Sequence, residues 1–287
     1  MSENQTAFQA RVFQASDGYA LAYRDYPAHP PERARIVAIH GIQSHAGWYE
    51  GSCLALARAG CRVQFVDRRG SGANQANRGD TPGYRRLLDD LAEFIKGSRA
   101  DLPPGVPLFL LAISWGGKLA VALEERHANL IDGLILITPG FFPRVAPPLG
   151  EKLRIVGARL VRPGRLFPIP LNDPELFTSD PGWLEYLRND ERSLHKATAR
   201  FLMSSVHLDR QLPRASRSVR VPLLLLLAGK DRIIDSDRTR RFVESFPSAD
   251  KQIIEYPGRA HTLEFEDSQK LEQDLIGWVL GHAGTAP

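Results

Sequence analysis

The sequence lacks the features on which several classes of protein depend. Cys53 and Cys61 are the only cysteines among 287 residues, which is too few for a disulfide scaffold. They flank a predicted helix-to-strand turn, so we expect buried free thiols rather than a disulfide. No uninterrupted apolar run approaches the length of a membrane span, and the polar residues 1–10 contain no apolar signal region. These absences favour a cytoplasmic protein.

The small net charge and the lack of metal-ligand spacing exclude two further classes of partner. The net charge of +4 is small for this length, and there is no dense basic run of the kind that binds nucleic acid. The arginines are scattered, with local enrichment over residues 152–165. No group of histidine, cysteine, aspartate or glutamate has the spacing of metal ligands. We therefore expect neither a nucleic acid nor a metal ion as a partner.

What the sequence does contain is an alternation of strands and helices. Strands are predicted over residues 8–14, 20–23, 35–39, 62–66, 108–113, 131–138, 223–227 and 252–256. Helices are predicted over residues 52–59, 84–96, 238–246 and 268–280, and a helical pattern also follows residue 118. Such alternation predicts an α/β fold, with a mostly parallel sheet and helices on both of its faces.

The alternation stops in the middle of the chain. Residues 141–217 contain many prolines and helical patterns but no clear strand. We interpret this segment as a helical cap, or lid, inserted into a core domain that comprises residues 1–140 and 218–287. A chain of this length can bury a large core as one domain with such an insertion.

One apolar run of strand length, residues 108–113, ends abruptly at Ser114. Small residues surround the serine in the pattern Ala112-x-Ser114-x-Gly116, and a helical pattern follows. A strand that turns directly into a helix at a serine is typical of a nucleophile elbow, which exposes the hydroxyl above the sheet. The alternative is an ordinary serine cap at a helix N-terminus after a buried strand.

An acid and a histidine follow two later strands. Asp231 comes soon after one predicted strand, and His261 follows the last one. Ligands of such sheets bind outside the carboxyl ends of the strands, and the order serine, aspartate, histidine is the one expected for an α/β-hydrolase. We expect Ser114 to be the nucleophile, His261 its base, and Asp231 the group that orients the imidazole. Asp235 is a competing acid that lies farther from the strand end.

Acyl transfer by such residues also needs two hydrogen-bond donors for the oxyanion. We expect these donors to be the backbone N–H of Trp115, next to the nucleophile, and that of Ile42, in the loop after His40 and Gly41. His40 precedes the glycine that shapes this loop, and we expect its role to be structural.

Together these residues resemble the α/β-hydrolase superfamily, and within it the serine hydrolases that include monoacylglycerol lipases and lysophospholipases. The resemblance covers most of the chain. It is carried by His-Gly-Ile-Gln-Ser-His-Ala-Gly-Trp-Tyr at residues 40–49, Asp-Arg-Arg-Gly-Ser-Gly at residues 67–72, the Ser114 elbow, Gly-Lys-Asp at residues 229–231, and His261. It implies hydrolysis of a carboxylic ester through an acyl-enzyme, without a cofactor.

The first of these motifs departs from the monoacylglycerol lipase pattern. Gln43, Ser44 and Trp48 stand where those lipases usually have glycine, glutamate and arginine. Part of the polar surface near the glycerol headgroup is therefore absent, and Trp48 makes the entrance more apolar. Together with an apolar cap, this favours a lipid-like or medium-chain acyl ester as the small-molecule substrate. We expect Trp48, Phe141 and Phe142 to contact it.

Other interpretations stay open at this point. An acyltransferase would use the same acyl-enzyme with an alcohol as acceptor, and a ligand-binding protein could retain the fold with little turnover. Residues 152–162 mix apolar and basic side chains, a pattern compatible with weak contact to an anionic membrane surface or with a solvated cap helix. The oligomeric state also stays open.

Overall fold

The computed structural model of the protein describes residues 8–284, so most of the polar stretch 1–10 lies outside it. The strands are β1 (Gln9–Gln14), β2 (Ala20–Tyr26), β3 (Ala34–Ile39), β4 (Cys61–Val66), β5 (Leu108–Ile113), β6 (Gly133–Ile137), β7 (Leu166–Pro168), β8 (Lys196–Thr198), β9 (Leu223–Ala228) and β10 (Lys251–Tyr256). The helices are α1 (Glu50–Arg58), α2 (Tyr84–Ala100), α3 (Gly116–Arg126), α4 (Leu149–Val161), α5 (Pro181–Asn189), α6 (Ala199–Ala215), α7 (Ser236–Glu244), α8 (Leu263–Glu266) and α9 (Ser268–Gly281).

The main sheet has the strand order β1-β2-β4-β3-β5-β6-β9-β10. The pairs β1–β2 and β2–β4 are antiparallel, and the other adjacent pairs are parallel. The central strands β3, β5, β6 and β9 are buried along their whole length, which explains their continuous apolar sequences. The crossover from β3 to β4 runs toward one edge of the sheet, and the crossover from β5 to β6 runs toward the other edge. Because such crossovers are right-handed, α1 and α3 cover opposite faces of the sheet. The predicted α/β class with a mostly parallel sheet is confirmed.

One expectation about the middle of the chain is wrong. The segment expected to have no strand contains β7 and β8, which pair with each other in antiparallel orientation. They form a separate two-stranded sheet and add nothing to the main one. Each has only three residues, which is too short for an alternating pattern to be recognised in the sequence.

The rest of the segment between β6 and β9 is largely helical. It contains α4, α5 and α6; α4 packs against α6, and α6 packs against α3 of the core. We propose that this segment is the cap, and its predicted limits at residues 141 and 217 stay a prediction.

Cys53 on α1 and Cys61 on β4 are free and buried, as expected. Burial raises the pKa of both thiols, that of Cys61 to about 12, so neither supplies a reactive thiolate. Within residues 8–284, no helix combines the length and the apolar character that a membrane crossing requires.

Candidate active site

Ser114 lies on a sharp turn between the end of β5 and the start of α3. Its backbone φ is 50°, a conformation that is strained for a residue with a side chain. A Cβ on Gly116 would come within 2.8 Å of the His40 carbonyl oxygen, and one on Gly41 within 3.1 Å of the Ser114 Cβ. Residue 116 must therefore be glycine. The glycine at residue 41 leaves room for the side chain of Ser114. The turn has the geometry of a nucleophile elbow.

The structure joins Ser114, His261 and Asp231 in one chain of hydrogen bonds. The Ser114 Oγ donates to His261 Nε2 at 2.9 Å, and His261 Nδ1 donates to Asp231 Oδ2 at 2.7 Å. The other carboxylate oxygen of Asp231 accepts from the N–H groups of Ile233 and Ile234 at 2.8 and 2.9 Å. Both Asp231 and His261 are buried. A carboxylate held in this way keeps the imidazole proton on Nδ1 and leaves Nε2 free to take the serine proton.

Asp235, the competing acid, has a different role. Its side chain accepts from the N–H of Arg238 at 3.0 Å and caps the N-terminus of α7. It also forms an ion pair with Arg144 at 3.8 Å. The structure thus brings Asp231, and not Asp235, to His261.

The expected oxyanion donors are unoccupied by protein acceptors. Within residues 8–284, neither the N–H of Ile42 nor that of Trp115 donates a hydrogen bond to another protein atom. Ile42, Ser114 and Trp115 line the same cavity, and Gly41 packs directly against the serine. Trp115 also stands at the N-terminus of α3, where the helix dipole favours negative charge. Two free donors next to a nucleophile can stabilise a tetrahedral oxyanion.

A cavity of about 440 Å³ opens at Ser114, a volume within the usual range for ligand pockets. Its apolar wall comes mostly from the segment between β6 and β9 and includes Val145, Pro147, Ile155, Val156, Ile169, Leu171, Leu202, Met203, Val206, Ile233 and Ile234. Lys118 and Asp209 also line it and form an ion pair at 2.5 Å. Burial lowers the pKa of the Lys118 ammonium, and Asp209 opposes that shift. The wall is therefore mostly apolar, and the buried Lys118 is paired there with a partly exposed Asp209.

Trp48, expected to contact the substrate, lies away from the wall of this cavity. The indole is buried, donates to Asp190 Oδ2 at 2.7 Å, and packs against Phe177 and Phe265. A buried indole N–H needs an acceptor, and Asp190, at the end of α5, supplies it. The placement corrects the expectation: Trp48 fastens α5 and its flanking loop to the core.

Phe141 and Phe142 also lie outside the cavity wall. Both rings pack against Phe242 of α7 at centroid distances of 5.5 Å, and the Phe142 ring faces the guanidinium of Arg238. Their position in the sequence, directly after the strand β6 and its Pro-Gly turn, suggested a roof over the serine. The chain turns instead toward α7, and residues farther along form that roof.

Two residues near the site have positions that the sequence did not reveal. Lys118 stands in the first turn of α3, where a lysine suggests a solvated helix face; its signal was its place in an apolar run one turn after Ser114. Arg68 belongs to the motif at residues 67–72, whose pattern alone assigns it no role. Its side chain contacts the loop of Ile42 and the ring of Trp115.

Comparison with known proteins gives a consistent result. Residues 30–268 match the family Hydrolase_4, described as serine aminopeptidase S33. A monoacylglycerol lipase of Mycolicibacterium smegmatis is 27% identical over 280 residues, which cover 94% of this chain and 96% of that protein. A monoglyceride lipase of Rattus norvegicus is 26% identical over 261 residues, which cover 88% and 82%.

Solved structures share the fold. A soluble variant of monoglyceride lipase from Saccharomyces cerevisiae superposes with a TM-score of 0.83 at 21% identity, covering 99% of each chain. Monoacylglycerol lipase from Paleococcus ferrophilus gives a TM-score of 0.81 at 23% identity, covering 91% of this chain and 99% of that one. The α/β-hydrolase fold expected from the sequence is therefore confirmed.

Proposed function

Since the chain belongs to the Hydrolase_4 family and is a carboxylic ester hydrolase, we propose that it cleaves esters of lipid-like or medium-chain acyl groups through an acyl-enzyme. In this proposal Ser114 is the nucleophile, His261 the general base and Asp231 the orienting carboxylate. One observation carries it: the hydrogen-bonded chain of these three side chains ends at an apolar cavity.

The proposed reaction proceeds in two halves. His261 Nε2 removes the Ser114 proton as Oγ attacks the ester carbonyl, and the N–H groups of Ile42 and Trp115 receive the negative oxygen. The imidazolium, stabilised by Asp231, then protonates the leaving alcohol, and an acyl-serine remains. Water attacks this acyl group with His261 again acting as base, which releases the carboxylic acid and restores the serine.

The cavity supports an ester rather than a peptide substrate, although the family carries the name of an aminopeptidase. An aminopeptidase must bind a protonated α-amine, and a carboxylate with no other partner would serve best. Here Lys118 places a cation in the wall, and Asp209, the carboxylate beside it, is already paired with that lysine. The apolar residues that make up most of the wall suit an acyl chain.

We also propose that α4 contacts an anionic membrane surface. One face of this helix exposes an apolar stripe that consists of Leu149, Leu153, Val156 and Leu160, with exposed fractions from 47% to 82%. Basic residues accompany the stripe at Lys152, Arg154, Arg159 and Arg162. Val156 and Lys152 also line the cavity, so lipid at this surface would lie next to the entrance. If the helix were fully solvated, these four apolar side chains would stay exposed to water, which is unfavourable.

The test of the proposed hydrolysis uses p-nitrophenyl esters of increasing chain length. Wild-type protein should hydrolyse them with a preference for medium chains and should be labelled by a fluorophosphonate probe. Folded Ser114→Ala protein should lose both turnover and labelling. Turnover that survives this substitution would contradict the assignment of the nucleophile.

The same assay separates the two competing functions. Added alcohol that yields a new ester in place of free acid would favour an acyltransferase. A folded wild-type protein that neither turns over esters nor reacts with the probe would favour a ligand-binding protein and would contradict the proposed hydrolysis.

A further inference from the structure

Arg68 is a buried cation without a carboxylate partner. Only 6% of the residue is exposed, and no carboxylate within residues 8–284 forms an ion pair with it. Its Nε and Nη1 atoms have no hydrogen-bond partner in the same part of the chain. The next residue, Arg69, is equally buried but pairs with Asp17 and Asp90. An unpaired buried charge destabilises a fold, and burial accordingly lowers the pKa of Arg68.

The contacts of Arg68 lead to both proposed oxyanion donors. Its Nη2 donates to the carbonyl oxygen of Ile42 at 2.9 Å and makes a longer contact of 3.4 Å to that of Gly41. Its guanidinium carbon lies 5.0 Å from the centre of the Trp115 ring and 4.8 Å from that of Phe201. A single cation therefore touches the loop that carries one donor and the side chain of the residue that carries the other.

The contact with Gly41 bears directly on the Ile42 donor. The carbonyl of Gly41 and the N–H of Ile42 belong to one peptide group, so a donor at that oxygen fixes the plane of the group and polarises its N–H. His40 Nδ1 donates to the same oxygen at 2.8 Å. His40 Nε2 accepts from the backbone N–H of Arg68 at 2.9 Å, which fixes the proton on Nδ1.

The peptide of the second donor is held in the same manner. The carbonyl of Ser114 shares its peptide group with the N–H of Trp115 and accepts from the N–H groups of Gly117 and Gly140 at 2.9 and 2.8 Å. Both proposed donors thus belong to peptides whose oxygen accepts two contacts. They differ in charge, because the Gly41–Ile42 peptide alone is contacted by a cation.

We propose that Arg68 is a positioning residue of the oxyanion hole, which orients the Gly41–Ile42 peptide and adds a positive charge behind it. The inference rests on the proposed acyl-enzyme mechanism. The cation contributes most when the carbonyl oxygen of the substrate becomes negative, and little when neutral substrate binds. Loss of Arg68 should therefore lower kcat and leave KM nearly unchanged.

A purely structural role of Arg68 can be distinguished from the proposed one by the effect of its replacement on stability. A residue that only packs the core should lower the melting temperature when it is replaced. Arg68→Met keeps an unbranched apolar stem about as far as Nε but removes an unpaired buried charge, and such a replacement should not lower the melting temperature.

The experiment compares Arg68→Met with Arg69→Met as the matched control. With p-nitrophenyl butyrate, Arg68→Met should lose roughly 10- to 100-fold in kcat with KM within about twofold, because it weakens one donor without deleting it. Its affinity for an alkyl boronic acid, which forms a tetrahedral adduct on the serine, should fall in parallel. Arg68→Lys should recover part of kcat. Arg69→Met should lower the melting temperature and keep kcat within about threefold.

Each other outcome has a defined meaning. Wild-type kcat in Arg68→Met would overturn the inference, and so would a protein that fails to fold or that loses kcat and melting temperature together, as a structural residue would. Absence of ester turnover and probe labelling in the wild type would instead overturn the proposed function, because then no oxyanion forms.

Discussion

Single residues at strand ends determine the geometry of the candidate site. Ser114, Asp231 and His261 follow three strands of one sheet, and folding alone brings their polar atoms within 2.9 Å of a partner. Their approximate arrangement could be predicted because parallel strands end at a common edge. The wall of the cavity could not, since the sequence gives no distances between the segment that follows β6 and the main sheet. Trp48 shows the difference: its indole N–H satisfies Asp190, which lies far along the chain.

The roles of Asp231 and Asp235 can be distinguished by replacing each residue with asparagine. In Asp231→Asn, the amide oxygen should still accept hydrogen bonds from the N–H groups of Ile233 and Ile234. The amide nitrogen then faces His261 Nδ1. That donor forces the imidazole proton to Nε2, where the ring cannot accept the serine proton, and kcat should fall by about 10⁴. Asp235→Asn preserves the helix cap and should keep kcat within about twofold. Equal effects of the two substitutions in steady-state kinetics would contradict the assignment.

At the level of elements, a clear apolar periodicity predicts helices best. The apolar face of α2 fixed its start at Tyr84, although the helix continues to Ala100, beyond the predicted end. The start of α7 lies at Ser236, two residues before the predicted helix, because Asp235 caps it. The strands β7 and β8 could not be predicted, because three-residue strands depend on pairing between distant segments.

The exposed stripe of α4 predicts how this helix behaves at a membrane. Replacing Leu153 and Leu160 by serine should weaken binding to vesicles of phosphatidylcholine and phosphatidylglycerol by at least roughly tenfold, because each leucine loses apolar burial in the lipid. Turnover of a water-soluble ester should stay within about twofold, since neither leucine lines the cavity.

Val12→Ser is the matched control for this vesicle experiment. Val12 is similarly exposed but lies on β1, at the edge of the main sheet. Its replacement should leave vesicle binding unchanged. Binding that is equal in all three proteins, or that is insensitive to phosphatidylglycerol, would contradict the membrane contact.

The whole molecule contains buried acids that couple its stability to pH. Glu264 of α8 is buried, and desolvation raises its pKa to about 7 against the opposing hydrogen bonds from Ser52. Desolvation also raises the pKa of Glu124 to about 7. The folded state therefore holds these protons more tightly than the unfolded chain, whose glutamates have ordinary pKa values. Stability should fall as pH rises from about 4.5 to about 7 and change little through these groups above that.

Glu264→Gln tests this dependence, because glutamine resembles the protonated acid and can still bond to Ser52. Thermal unfolding between pH 5 and pH 8 should show a flatter profile in the variant and a gain of at most about 3 kcal/mol at pH 8. Glu175→Gln, which changes an exposed glutamate outside the main sheet, should reproduce the wild-type profile. Parallel profiles for wild type and Glu264→Gln would show that Glu264 does not determine this dependence.

The pairing of β6 with β9 affects how the chain can be synthesised. Leu134 pairs with Leu223, and all of the intervening helices and the short ribbon β7–β8 are translated between them. The ribosome releases residues in order, so β6 emerges with one edge unpaired and stays so until β9 follows. An unpaired apolar edge readily pairs with other chains. We therefore expect the nascent polypeptide to need shelter, from the ribosome surface or a chaperone, until translation has passed Ala228.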